Sequence, residues 1–182
     1  MVNKFLKILL LATSPLFVNP AIALEVGDDG LHKTRWMQDT FKDLREDLEE
    51  ANAEGKRLVL FFEQIGCIYC TKMHKEVFSK ENISDYIEDN FFVVQLNLHG
   101  DIEVTDFDGE ILAEKEMARK WGILFTPSII FLPQEVKEDA TAQQAAVAMM
   151  PGAFHPGTTL DLFTWVRDCL LYTSDAADDI PR

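Results

Sequence analysis

Two cysteines separated by two residues, Cys67 and Cys70, follow a short apolar run and precede a predicted helix. The run at 57–62 reads RLVLFF, without the polar alternation of a half-exposed strand, so it predicts a strand that is covered on both faces. Cysteines at positions i and i+3 of a first helical turn face the same side, where their sulfurs can bond without backbone distortion. The pair therefore marks a candidate site.

The two cysteines are expected to play different roles. At a helix N-terminus, Cys67 meets unpaired backbone N–H groups and the positive end of the helix dipole, which stabilise a thiolate. Cys70 lies one turn further along and is shielded. We therefore expect Cys67 to attack a substrate disulfide and Cys70 to resolve the mixed disulfide.

Other readings of the cysteine pair compete with this one. A structural zinc site needs four ligands, and the sequence has no second cysteine pair. His74, four residues after Cys70, would complete a soft copper or zinc site with both cysteines. Covalent haem attachment requires His directly after the second cysteine, where this chain has Thr71. A purely structural disulfide would be an unusual use of so short a loop.

The N-terminus has the pattern of a secretory signal peptide. Lys4 and Lys7 precede an apolar run at 8–18, and small residues at 21 and 23 precede the expected cleavage site after Ala23. An uncleaved membrane anchor is the alternative, but the run is short for a bilayer core and a proline interrupts it. The pattern predicts export into an oxidising compartment.

The C-terminus predicts a non-native segment. Residues 169–179 read CLLYTSDAADD, which resembles the in-frame translation of a sequencing-library adapter, although an ordinary polar tail is the alternative. We therefore expect residues 1–23 to be a signal peptide, 24–168 the domain, and 169–182 adapter-derived, so that Cys169 has no chemical role.

Composition excludes several classes of protein. The 182 residues include 17 Lys and Arg against 31 Asp and Glu, and the resulting charge of -14 opposes nucleic-acid binding. Three cysteines are too few for a small disulfide-rich scaffold. No stretch reaches about 18 uninterrupted apolar residues, which argues against a multi-span membrane protein.

Hydrophobic periodicity predicts an alternation of helices and strands. The expected elements are a helix at 34–54, a strand at 57–62, helices at 67–78 and 81–90, a strand at 91–98, a helix at 111–121, strands at 128–132 and 145–150, and a helix at 158–168. Between 99 and 110 the chain is acidic and turn-rich. This order predicts an α/β sheet whose early strands are parallel and whose last two form a hairpin.

Several motifs together resemble the thioredoxin superfamily, from about residue 57 onward. They are the Cys67 to Cys70 motif, ARKWGI at 118–123, Thr126-Pro127 before a predicted strand, and Gly152 after the last strand. More narrowly, FFEQIGCIYCTKMHKEVF, VTDFDGE and ARKWGILFTPSIIFL resemble the SoxW-type periplasmic thioredoxins of sulfur-oxidising bacteria.

The resemblance implies a thioredoxin fold: a central mixed sheet of four to five strands flanked by helices, here with an N-terminal helix extension. It implies dithiol–disulfide exchange at Cys67 and Cys70 without a cofactor or metal. It also implies a cis peptide at Pro127 beside the sulfurs, and a substrate-binding surface formed by Ile68, Tyr69, Thr126 and Pro127.

Partners and location follow from the same resemblance. The expected partners are disulfides of periplasmic proteins, including sulfur-oxidation proteins, and a membrane thiol transporter that supplies electrons. We expect a periplasmic monomer that does not bind nucleic acid.

The chain also departs from the thioredoxin pattern. Phe61 stands where thioredoxins keep a buried acid, and Gly66 stands where they place Trp. Glu63 is the candidate proton acceptor. The alternatives are that a water molecule takes this role and that Glu63 is a solvent-exposed residue at the rim of the site. The Ile68-Tyr69 pair does not fix the direction of electron flow, so a disulfide oxidase or isomerase, or a copper or zinc carrier using Cys67, Cys70 and His74, remains an alternative.

Overall fold

The computed structural model describes residues 25–178, and their side chains as far as Asp168. The predicted signal peptide lies outside the described residues, as does the end of the predicted adapter segment. The described part of the chain contains no helix that is both long and apolar enough to cross a membrane.

Nine strands and six α-helices make up the described chain. The strands are β1 (Glu25–Val26), β2 (His32–Lys33), β3 (Met37–Gln38), β4 (Arg57–Glu63), β5 (Phe91–Asn97), β6 (Glu103–Thr105), β7 (Ile111–Ala113), β8 (Ser128–Phe131) and β9 (Ala148–Pro151). The helices are α1 (Leu44–Ala53), α2 (Ile68–Met73), α3 (Glu81–Asn90), α4 (Glu114–Lys120), α5 (Ala142–Ala145) and α6 (Pro156–Asp178), with a π-helical turn at His74–Phe78 directly after α2.

Five strands form the central sheet, in the order β3-β5-β4-β8-β9. The central strand β4 runs parallel to β5 and antiparallel to β8, and β9 completes an antiparallel hairpin with β8. The predicted α/β class, mixed sheet and thioredoxin fold are confirmed. Two separate two-stranded sheets, β1-β2 and β6-β7, lie outside this sheet.

The core lies on both faces of β4, all of whose residues are buried. Leu58, Leu60 and Phe62 belong to the core on one face, together with residues of α1 and α4. Val59 and Phe61 belong to the core on the other, with residues of α3 and α6. Because side chains alternate along a strand, a continuous apolar run supplies both cores.

The predicted helix at 34–54 is correct only in its second half. The helix begins at Leu44, and the carboxylate of Asp43 caps it by accepting the N–H groups of Arg45 and Glu46. Lys42 has a φ of 60°, which interrupts any helix before this point. Residues 37–38 instead form the edge strand β3, parallel to β5.

Two other boundaries differ from the prediction. The helix expected at 111–121 begins at Glu114, because residues 111–113 pair with β6 across the turn at Gly109. The last strand covers residues 148–151, because residues 142–145 form the short helix α5 under a capping box from Thr141.

Candidate active site

Cys67 lies at the start of α2, four residues after β4 ends at Glu63. It is the N-cap of the helix, and its Sγ accepts the backbone N–H of Cys70 at 3.0 Å. The preceding Gly66 has a φ of 73°, a conformation that other residues adopt only under strain. The chain thus turns sharply from the sheet and aims the first sulfur at the unpaired N–H groups of the helix.

The two sulfurs are bonded to each other. The Cys67–Cys70 disulfide has an S–S distance of 2.10 Å and a Cα–Cα distance of 5.2 Å. Cys70 is fully buried, whereas Cys67 keeps 5% of its surface exposed. Cys67 is therefore the more accessible of the two cysteines.

The loop before β8 meets the disulfide. The Thr126–Pro127 peptide bond is cis. Thr126 Oγ1 lies 3.3 Å from Cys67 Sγ, and the Thr126 carbonyl oxygen lies 3.6 Å from the same sulfur. Gly152 fixes the other side of the loop by donating its N–H to the Pro127 carbonyl at 2.7 Å. The structure therefore brings together Cys67, Thr126 and Pro127, which lie far apart in sequence.

Five exposed large apolar side chains lie in the segments that flank this site. They are Ile65, Ile68, Tyr69, Leu124 and Phe125, with exposed fractions of 66%, 72%, 59%, 76% and 62%. We call these five side chains the apolar rim. Ile68 and Tyr69 of the predicted substrate-binding set belong to it, whereas Pro127 is buried.

The family model of the thioredoxin-like domain matches residues 44–155. The chain belongs to this family. No curated protein sequence matches it.

Two solved structures share the fold of this thioredoxin-like domain. A thioredoxin from Thermus thermophilus is 23% identical with a TM-score of 0.52, and the match covers 68% of this chain and 83% of that one. A putative disulphide-isomerase from Bacteroides thetaiotaomicron is 19% identical with a TM-score of 0.52, and the match covers 72% of this chain and 92% of that one.

Glu63, at the end of β4, has no exposed surface, so the rim position considered for it is wrong. Its Oε1 lies 2.9 Å from His74 Nε2 and 3.3 Å from His32 Nδ1, and its Oε2 accepts the amide N–H of Gln95 at 2.6 Å. Phe61 points to the same face of the strand two residues earlier and packs on His74. The thioredoxin-like domain thus has a buried acid on this face, displaced by two residues along the strand.

His32 is the residue of this cluster that the sequence did not reveal. It lies on β2, before the matched domain begins, and its ring stacks on that of His74 with centroids 4.5 Å apart. Burial lowers the pKa of His32; the charge of Glu63 opposes this effect and His74 adds to it. A single histidine in a polar segment carries no periodic signal that would have singled it out.

The metal site considered for Cys67, Cys70 and His74 does not match the geometry. His74 Nε2 is directed at Glu63. In the described part of the chain, the side chains close enough to share an ion are His32, Glu63 and His74, and neither cysteine is among them.

Proposed function

We propose that this protein is a thiol–disulfide oxidoreductase that exchanges disulfides through Cys67 and Cys70. The observation that carries the proposal is the placement of Cys67 Sγ as the cap of α2, where it accepts the Cys70 N–H at 3.0 Å. In the reduced protein the same contact stabilises a thiolate, because an N–H group and the helix dipole both favour negative charge there.

The exchange proceeds in two balanced steps. The Cys67 thiolate attacks one sulfur of a substrate disulfide, that bond breaks, and the departing substrate sulfur leaves as a thiolate that takes up a proton. Cys70 then loses its proton and attacks Cys67 Sγ. The second substrate thiolate is released, and two electrons have passed from the cysteine pair to the substrate.

The Cys70 proton needs an acceptor. Glu63, predicted for this role, has its described hydrogen bonds to His32, His74 and Gln95 rather than to a sulfur. Its role as the acceptor stays a prediction, with water as the other candidate.

The apolar rim supports a protein substrate. Five large apolar side chains near one reactive sulfur are a costly surface to leave in water and are typical of an interaction site. An extended chain seated there would lie against Thr126, whose carbonyl faces Cys67 Sγ. We propose that Ile68, Tyr69, Thr126 and Pro127 form the substrate-binding surface.

We propose that the protein works in the periplasm as a reductant of the SoxW type. The signal-peptide pattern at 1–23 and the SoxW-like motifs support this proposal. Its substrates are disulfides of periplasmic proteins, including sulfur-oxidation proteins, and its electrons come from a membrane thiol transporter.

Reduction of insulin disulfides by the protein, with dithiothreitol as electron source, tests the activity. We expect Cys67→Ser to abolish the reduction and Cys70→Ser to trap mixed disulfides, because Cys70 no longer resolves them. Cys169→Ser is the matched control and retains full activity. Unchanged reduction by Cys67→Ser would disprove the proposal.

The direction of electron flow is tested by the reduction potential of the Cys67–Cys70 pair, measured by equilibration in glutathione or dithiothreitol buffers with thiol labelling. A value below about -240 mV supports a reductant. A value above about -160 mV would make the protein a disulfide donor and contradict the proposed direction.

A further inference from the structure

A second cluster of reactive side chains lies beside the cysteine pair. His32 of β2 and His74 of the π-helical turn each direct a ring nitrogen at Oε1 of Glu63 of β4, and these three atoms lie within 4.8 Å of one another. All three residues are buried. Elements distant in sequence thus converge on one buried position.

The charge of this cluster is not balanced by a basic side chain. Glu63 has no exposed surface, and its ion-pair partners among the described residues are the two histidines rather than a lysine or an arginine. A buried carboxylate is costly without a compensating positive charge. One cation shared by the three side chains would balance the carboxylate.

Hydrogen bonds to a residue outside the cluster orient the ring of His32. His32 Nε2 lies 3.1 Å from Thr71 Oγ1, whose hydroxyl also lies 3.1 Å from the Cys67 carbonyl oxygen. When Thr71 donates its hydroxyl proton to that carbonyl, its oxygen must accept the N–H of His32 Nε2. The Nδ1 of His32 then carries no proton, and its lone pair faces Glu63. Such partners on the far nitrogen of a histidine are usual around bound metals, where they fix the ring and its tautomer.

The ligand atoms lie at or slightly inside the spacing of a zinc site, so binding a small divalent ion requires Glu63 and His74 to move slightly apart. Ligand bonds of about 2.0–2.1 Å in a tetrahedral zinc site place neighbouring ligand atoms somewhat more than 3 Å apart. Oε1 of Glu63 lies 2.9 Å from His74 Nε2 and 3.3 Å from His32 Nδ1. Two imidazoles and one carboxylate form a known ligand set for zinc, with a fourth position left open.

We propose that His32, Glu63 and His74 bind one divalent transition-metal ion of the zinc type. The cysteines take no part, so the proposal does not rest on the disulfide-exchange function; Glu63, the predicted proton acceptor of that function, belongs to both sites. The ion links the β1-β2 hairpin, which carries His32, to the central sheet.

Cobalt binding tests the proposal, since Co²⁺ in a site with few ligands gives strong visible absorption. The protein carries Cys169→Ser, has no histidine tag and keeps the Cys67–Cys70 disulfide intact, so that no cysteine offers a thiol to the metal. We expect one equivalent of Co²⁺ to bind and Zn²⁺ to displace it. We also expect Zn²⁺ to raise the melting temperature, because an ion that binds the folded state stabilises it.

Matched variants locate the ion. Of the four histidines, His99 and His155 are exposed, and the double variant His99→Ala/His155→Ala should bind Co²⁺ as the parent does. His32→Ala and Glu63→Gln should each weaken binding by more than about 100-fold, beyond the effect of removing an outer hydrogen-bond partner. Circular dichroism checks that each variant is folded, and His32→Ala carries the test if Glu63→Gln is not.

Several results would overturn the proposal. Absence of cobalt absorption and of a zinc-dependent melting shift in the parent would do so. Loss of binding in the double variant, or full binding in His32→Ala, would place the ion elsewhere. Insulin reduction is measured separately, so failure of the proposed redox function would leave this result unaffected.

Discussion

Asp106 and Glu63 are both carboxylates with no exposed surface, yet their surroundings differ in kind. Asp106 accepts the indole N–H of Trp121 at 2.7 Å and the backbone N–H of Ala142 at 2.8 Å, and it pairs with the ammonium of Lys120 at 2.9 Å. Burial opposes the charge of Lys120, but the hydrogen bonds that its ammonium donates to neighbouring carboxylates outweigh this effect and raise the pKa of Lys120. Asp106 is therefore paired with an ammonium group and accepts hydrogen bonds from two N–H groups.

Glu63 has no lysine or arginine partner among the described residues. Two imidazoles and one amide surround it, and an imidazole is also the commonest metal ligand in proteins. The two carboxylates are equally buried but have different roles: Asp106 joins α4 and α5 as part of the structure, whereas Glu63 belongs to the proposed metal site.

Asp47 of α1 provides a third case. It is 3% exposed, and the hydroxyl of Thr40 lies 3.3 Å from its Oδ2. Burial raises the pKa of Asp47 to about 7, opposed by the Thr40 hydrogen bond and assisted by the nearby charge of Asp43. In the described part of the chain no lysine or arginine forms an ion pair with Asp47, so burial destabilises its charged form.

Breaking the Asp106 network should have the largest effect. Asp106→Ala leaves the indole N–H of Trp121 and the backbone N–H of Ala142 without their buried acceptor. Lys120 loses its buried partner but keeps Asp108 and Glu110. We therefore expect the free energy of unfolding to fall by about 3–5 kcal/mol. Urea denaturation measures it. Asp101→Ala, whose side chain is 79% exposed, is the control and should change stability little. A loss below about 1 kcal/mol for Asp106→Ala would refute its structural role.

Asp47 should make stability depend on pH. Its pKa is about 7 in the folded protein and near the ordinary aspartate value of 3.8 when unfolded, so the unfolded chain releases this proton first. Stability therefore falls as pH rises from about 4 to 7 and then levels off. Asp47→Asn removes this dependence. The variant should equal the parent at pH 4 and exceed it by about 2–4 kcal/mol above pH 7.

Parallel urea titrations of both proteins across this range isolate the contribution of Asp47, since all other groups are shared. An equal difference in stability at every pH would contradict the raised pKa.

Glu63→Gln should have the smallest effect in metal-free protein. The amide keeps an acceptor oxygen for the histidines, but its NH₂ group faces that of Gln95, whose own oxygen already accepts from Lys33. We expect a loss of about 1 kcal/mol in chelator-treated samples, measured by urea denaturation. A loss as large as that of Asp106→Ala would mean that Glu63 is also a structural acid, and the contrast between the two sites would fail.

The sequence predicted most of the central sheet because its strands carry the strongest local signal. The apolar runs that became β4 and β5 match the prediction nearly residue for residue. The edge strand β3 was missed because two residues at a sheet edge make no pattern, and the apolar residues around it mimic helical spacing. Asp43 followed by Glu46 is a capping-box signal that would have placed the start of α1 correctly.

The sequence predicted the part of the candidate site that is formed by residues close together in the chain. The spacing of Cys67 and Cys70 predicted a pair on one helical turn, and the disulfide between them has that geometry. The surroundings of Glu63 were not predictable, because they depend on how a hairpin at 25–33 folds back over β4. A side chain on a short hairpin reaches its partners through tertiary packing, which no local pattern records.

The position of His32 ahead of the matched domain has a consequence for how such proteins diversify. The segment at 44–155 contains the cysteine pair, the cis-proline loop, Glu63 and His74, while the third side chain of the cluster arrives on a separate, short appendage. Gain or loss of that appendage would add or remove a ligand without altering a single residue of the redox machinery.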